Sequence, residues 1–222
     1  SERLLVANLF APLKLQQPQP LWSEQHPADW WHAAEHAAAD LRAQQPKAWA
    51  QVRAIGLSGQ MHGAVLLDAQ GQVLRPAILW NDGRSAAECA QLERAEPRSR
   101  QIAGNLAMPG FTAPKLLWLR QHEPQVFERT ARVLLPKDWL RWQLTGEAVS
   151  EMSDASGTLW LDVARRRWDE AMLAACGLNE DHMPRLVEGS EVSAQLLPAR
   201  AQAWGWDHPV LVAGGAGDNA AS

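Results

Sequence analysis

HPVLVAGGAGDNAAS, residues 208–222, is the stretch from which the fold can be read. Val210, Leu211 and Val212 make a short apolar run suited to a buried strand, and Gly214, Gly215 and Gly217 follow with a turn bare of side chains. Asp218 emerges from that turn. A carboxylate at the carboxyl end of a buried strand, where bare backbone lets a ligand approach, is placed for general-base work. Phosphoryl transfer to an alcohol needs such a base to take the hydroxyl proton. The same residue also suits the cap of a helix beginning at Asn219-Ala220-Ala221, and the stretch alone leaves both readings open.

Outward from there, composition bounds the answer. A chain of 222 residues that is 46% apolar can bury a sizeable core, as one large domain or two small ones. Its 21 Lys and Arg against 25 Asp and Glu leave a formal charge of −4, with no basic surplus to suit nucleic acid or an anionic membrane. A small neutral substrate stays open. Cys89 and Cys176 form no C-x-x-C pair, which argues against a disulfide scaffold or thiolate metal site and fits a reducing cytoplasm. No apolar run nears the ~20 residues that span a bilayer, and the start lacks a signal-peptide layout, so the expectation is a soluble cytoplasmic protein. Twelve Trp beside three Phe and no Tyr are expected to be mostly core.

In chain order, Leu4–Phe10 reads as a strand, then Pro12, Pro18 and Pro20 mark an extended connection. Ser23 or Asp29 is expected to cap a helix over Trp30–Ala43, closed by Pro46. His32, Glu35 and His36 on it spell H-x-x-E-H, the spacing of inverted zinc peptidases, against the plainer reading of a polar helix face without a third ligand. Val52–Ser58 reads as a strand and Ala64–Leu67 as another, with Gly59-Gln60-Met61-His62-Gly63 between them. That loop suits either a polyol-binding turn or a tight hairpin. Asp68–Gly71 reads as a hairpin turn, and Ala77–Trp80 as a strand ending in polar Asn81-Asp82-Gly83-Arg84, before a helix over Ser85–Ala95. Gly110–His122 predicts a core helix, with Thr112 as cap and Pro114 in its first turn. Further helices are expected over Gln125–Ala131, Asp138–Leu144, Asp169–Cys176 and Ala199–Trp204, with a strand at Val133–Leu135. Ser150–Gly157 reads as a polar surface loop and Arg165–Arg167 as a solvated face.

These motifs together resemble a known family. Gly110–His122, GFTAPKLLWLRQH, is similar to the first signature of the FGGY carbohydrate kinases. GLSGQMHG from Gly56, PLWSEQ from Pro20, ILWNDGR from Ile78, LLPKDWL from Leu134 and SDASGTLWLD from Ser153 resemble the bacterial xylulokinase branch in particular. The resemblance implies an α/β, ribonuclease-H-like (actin-like ATPase) domain, a mixed sheet flanked by helices that binds sugar beside a second, ATP-binding domain. It implies transfer of the γ-phosphoryl group from Mg-ATP to D-xylulose, with Asp218 as base. Asn219 would lie near the sugar, Met61 and His62 would bind it, Gln60 and Trp80 would join the pocket, and Lys115 would be structural.

Two departures shape the expectation. No Asp-x-Gly-Thr or Asp-x-Gly-Ser hairpin, the family's Mg²⁺ and phosphate element, stands near Ser1, and the chain ends four residues after Asp218. The reading is therefore of an incomplete substrate domain, lacking its first hairpin and its ATP-binding partner domain, with weak sugar binding at best and no turnover by itself. Leu4–Phe10 would present an unpaired edge and favour association with another chain as a homo-oligomer. Kinases of another ketose or polyol, a sugar-binding module without catalysis, and a zinc hydrolase through His32, Glu35 and His36 are the alternatives.

Overall fold

The structure, a computed structural model, describes residues 5–221. Two of its segments decide where the site lies. Ala54–Ile55 runs parallel to Leu211–Ala213, with Leu211 opposite Ala54 and Val212 opposite Ile55. The same two segments pair again a few residues on, where Ser58–Gly59 lies parallel to Ala216–Gly217. Between the two pairings Gly215 turns at φ +75°, and a β-carbon on it would stand 2.1 Å from the Leu57 carbonyl oxygen. No other residue fits there. Val192–Gln195 closes the far side antiparallel to Leu211–Ala213, completing a mixed three-stranded sheet. Parallel neighbours need a long crossover, and here most of the chain supplies it.

The crossover folds into further pairings. Buried Val65–Leu67 lies antiparallel to Arg132–Leu134, and Leu67 bridges Val73 across the expected turn, where Gly71 has φ +75°. Glu24–Gln25 pairs antiparallel with Ala77–Ile78, and Val149–Glu151 parallel with Arg185–Val187. The Thr112–His122 helix buries eight successive residues, Thr112 to Leu119, so it is a core element enclosed on all sides rather than a surface helix. Its Leu116 and Leu119 form one core with Leu92, Trp160 and Met172. Trp30, Trp31, Trp139, Trp206 and Val210 belong to a second. Each fully buried large side chain contributes about 1.5–3 kcal/mol. Seven of the twelve Trp are buried, which bears out their reading as packing. Among the described residues no helix is long and apolar enough to cross a membrane. Cys89 and Cys176 are free.

Several local expectations give way to tertiary context. Residues 5–10 form no strand, and Leu5, Val6 and Phe10 are exposed; Leu4 lies outside the described residues. The first helix is longer than expected, Pro27–Gln44, with His26 rather than Ser23 or Asp29 at its cap, because Pro27 already supplies a first-turn residue. Ser23 instead donates its backbone N–H to Asp82. Pro46 does close that helix, yet it also opens a short one, Pro46–Trp49. Thr112 caps nothing, since its hydroxyl is spent elsewhere. The largest correction is Ser150–Gly157: it holds a strand end and the Met152–Ser156 helix, and Ser150, Glu151, Asp154 and Ala155 are buried. Arg165–Arg167 are exposed as expected.

Candidate active site

The register of the broken parallel pair brings the predicted residues together. With Gly217 opposite Gly59, Asp218 leaves one strand end as Gln60, Met61 and His62 leave the other. Met61, His62, Trp80, Asp218 and Asn219 line one cavity of about 470 Å³. Glycines clear its walls. A β-carbon on Gly217 would meet Met61 Cγ at 2.7 Å, and one on Gly157 would meet His62 Nδ1 at 2.4 Å. Trp80 stands 56% exposed, unlike the core tryptophans, so its indole is available to a ligand. Asp218 opens the short Asp218–Ala221 helix, and its carboxylate accepts from the Asn219 N–H at 2.8 Å. Gln60 is not among the lining residues: its amide donates to Gln25 Oε1 at 3.2 Å, which also accepts from Trp30 Nε1.

His62 is held in a costly conformation. Its φ of +67° is in the left-handed region, worth roughly 1–3 kcal/mol for a residue with a β-carbon, and persists only where surroundings over-determine it. They do. The Thr112 hydroxyl donates to the His62 carbonyl at 3.1 Å and Lys115 Nζ donates to it at 3.3 Å. Lys115 also donates to the Phe111 carbonyl at 3.1 Å and to that of Gly110, so this fully buried side chain ties the start of the core helix to the loop that carries His62. Burial, opposed mainly by Asp82, brings the Lys115 pKa down to about 7. The Phe111 ring meets the imidazole edge-on at 4.5 Å.

Protonation of the imidazole follows from its partners. Nδ1 lies 2.9 Å from the Gly157 carbonyl, an acceptor only, so Nδ1 carries the proton and donates. Burial lowers the His62 pKa, and the Gly157 bond opposes this only in part. A neutral ring with Nδ1–H leaves Nε2 as an acceptor suited to a hydroxyl. Gly157, Phe111 and Thr112 thus hold His62, a role that sequence reasoning did not give them; for Gly157 the signal was a glycine inside a polar segment, which marks close approach of another group.

Two residues of the H-x-x-E-H pattern on the first helix have other partners. Glu35 pairs with Arg200 at 3.6 Å and His36 with Asp40 at 3.4 Å. Among the described residues no group of three or more His, Cys, Asp or Glu is arranged to hold a metal ion.

Comparison with known proteins gives the chain its relatives. The family model described as "FGGY family of carbohydrate kinases, N-terminal domain" matches residues 3–222. A xylulose kinase of Escherichia coli K12 is 57% identical over 217 residues, covering 98% of this chain and 44% of the relative. The chain is similar to the crystal structure of a xyloylose kinase from Brucella ovis, with TM-score 0.93 and 55% identity over 95% of this chain and 43% of the other. A xylulose kinase structure from Rhodospirillum rubrum matches with TM-score 0.88 and 31% identity, over 94% of this chain and 44% of the other. The chain spans less than half the length of these relatives.

Proposed function

Because the chain belongs to the FGGY family of carbohydrate kinases, we propose that it is the sugar-binding domain of a longer enzyme that phosphorylates D-xylulose from ATP. The observation that carries this is the shared cavity: the Asp218 carboxylate and the neutral His62 imidazole, 156 residues apart in sequence, face one hollow at the ends of two parallel strands. That is where α/β folds bind ligands. The five lining residues suit a polyhydroxylated molecule. Trp80 gives an apolar face for the carbon side of a sugar, Asn219 an amide with both donor and acceptor, and Met61 a flexible wall.

Asp218 acts as the general base. It accepts the proton of the attacking terminal hydroxyl as that oxygen bonds to phosphorus, a contribution of about 10²–10⁴ in rate. His62 Nε2 accepts from a second sugar hydroxyl and fixes which end of the chain meets Asp218. Gln60 supports the loop through Gln25 rather than the sugar. ATP with Mg²⁺ is the phosphoryl donor in this reading, and the residue roles given above concern the sugar side. We assign the enzyme to the cytoplasm, acting on a small sugar, in keeping with a formal charge of −4.

The test is Asp218→Asn in the full-length enzyme, assayed with D-xylulose, D-ribulose and glycerol. D-Xylulose is expected to give the highest kcat/KM, and the substitution to lower kcat at least a hundredfold with sugar binding retained. Turnover within a few-fold of the original would exclude Asp218 as the base, and a preference for glycerol would exclude a xylulose kinase.

A further inference from the structure

Beneath the glycine turn lies a buried charge cluster that the site described above does not use. Lys137 and Arg141 come from the Pro136–Thr145 helix, as does Asp138; Glu151 and Asp154 come from the segment that reads as surface in the sequence. All five are buried. Lys137 Nζ stands 2.7 Å from Asp138, 2.9 Å from Asp154 and 3.5 Å from Glu151, so it answers most of the acidic charge. Arg141 does not. Its nearest carboxylate, Asp138, is 3.9 Å away.

The hydrogen bonds of Arg141 go to the turn instead. Nη1 donates to the Ala213 carbonyl and, at 2.7 Å, to the Ser193 hydroxyl, while Nη2 donates to the Gly214 carbonyl. Ser193 in turn donates to the Val212 carbonyl at 2.8 Å. Nε of Arg141 and Oδ2 of Asp138 are left without hydrogen-bond partners. Burying a cation costs heavily, and a cation placed for stability alone would be spent on its counter-charges. This one presents its rigid fork to two successive carbonyls at the bend that aims the next strand, a task for which a guanidinium's fixed plane is suited and an ammonium is not. The other end of the turn is held from the same cluster: Glu151 accepts from the Ser153 and Asp154 N–H groups, and the Ser153 hydroxyl accepts from the Gly217 N–H at 3.4 Å, one residue before Asp218.

We infer that Arg141 is a positioning residue for Asp218, its two carbonyl bonds fixing the direction in which the glycine turn delivers the carboxylate to the sugar cavity. The inference rests on Asp218 being the general base, and its test separates the two. In the full-length enzyme, kcat and sugar KM are compared for Arg141→Met, Arg141→Lys, Asp218→Asn and the Arg141→Met/Asp218→Asn double variant, with melting curves on each. Arg141→Met is expected to lower kcat about thirtyfold or more while sugar KM stays within threefold. Arg141→Lys rescues little, because one ammonium cannot serve both carbonyls in a plane. In the Asp218→Asn background Arg141→Met adds less than threefold, because there is no base left to aim. A folded Arg141→Met or Arg141→Lys enzyme with kcat within threefold of the original overturns the inference, as does a full additional loss in the double variant. If neither Arg141 variant folds, Ser193→Ala removes one anchor of the fork; a kcat three- to tenfold lower at constant KM supports the inference, and an unchanged kcat overturns it. Retained turnover in Asp218→Asn alone refutes the base itself, whatever Arg141 does.

Discussion

Replacing Gly157 with alanine puts a methyl carbon where the His62 ring lies. The added carbon would be 2.4 Å from Nδ1 and 2.5 Å from Cε1 of His62, and 3.2 Å from Met61 Cε. Carbon contacts settle near about 3.5–4.0 Å, so the ring must retreat by about 1 Å. The 2.9 Å bond from Nδ1 to the Gly157 carbonyl is lost or badly bent, and Phe111, edge-on at 4.5 Å, limits how far the ring can swing. The backbone has no objection: Gly157 has φ −73° and ψ −3°, which alanine adopts freely. Reduced freedom of the unfolded chain gains about 0.4–1 kcal/mol. Overpacking costs about 1–3 kcal/mol and the weakened hydrogen bond about 0.5–1.5 kcal/mol. The net loss of stability is therefore modest, on the order of 1–3 kcal/mol. Sugar binding suffers separately, because the displaced Nε2 leaves a buried hydroxyl without its acceptor, costing about 1–3 kcal/mol. That is roughly a tenfold to hundredfold rise in the dissociation constant. The assay is D-xylulose titration of the full-length enzyme by tryptophan fluorescence, with thermal melting of the same preparation. Affinity within twofold of the original in a folded variant would refute the reasoning, since it would mean that the ring is not where the sugar meets it.

Two pH effects follow from buried groups. His62 is held below its ordinary 6.5, chiefly by burial, so as pH falls the unfolded chain takes up the proton before the folded one does. Its contribution to stability is intact above about 6.5 and lost below it, and sugar KM is expected to be flat above that value and to rise below it; a KM that falls on acidification would contradict a neutral acceptor. Asp154 behaves oppositely: burial outweighs the pull of Lys137 and lifts it to about 7 from 3.8, with Asp138 and Glu151 adding to the rise. The folded chain binds the proton more tightly, so this group's contribution is full below about 4 and lost as pH rises through about 7. Asp154→Asn should therefore shrink the difference between urea midpoints at pH 4.5 and pH 8, and equal differences in both proteins would rule the assignment out.

How much was legible in the sequence depended on whether a residue's partner was near it in the chain. The Asp68–Gly71 turn and the Thr112–His122 helix were readable because turn chemistry and an apolar stripe are local signals. Of the cavity residues, Asp218 was legible because a bare turn after an apolar run marks a strand end, whereas Met61, His62, Trp80 and Asn219 were named through the family resemblance; the parallel register of 58–59 against 216–217 then gathers four of the five. Leu4–Phe10 failed for the opposite reason: a mostly apolar run proposes a strand, but a strand needs a neighbour, and residues 5–10 have none among the described residues.

Ser150–Gly157 shows the limit most sharply, and why it falls at the site. Serine, acids and glycine in sequence argue for solvent, unless cations elsewhere wait for them. Lys137, Asp138 and Arg141 are spaced one and three or four apart, which puts them on one face of the Pro136–Thr145 helix, and that face turns inward. A helix that buries Lys137 needs acids to meet it, and the polar segment that looks like a loop supplies Glu151 and Asp154. The same segment carries Ser153 to Gly217 and Gly157 to His62, so it touches both halves of the cavity. It serves the two strand ends by different means: the Ser153 hydroxyl holds the N–H before Asp218, which an apolar side chain in that place could not do, and Gly157 holds Nδ1 of His62 through its backbone carbonyl while its missing side chain leaves room for the ring.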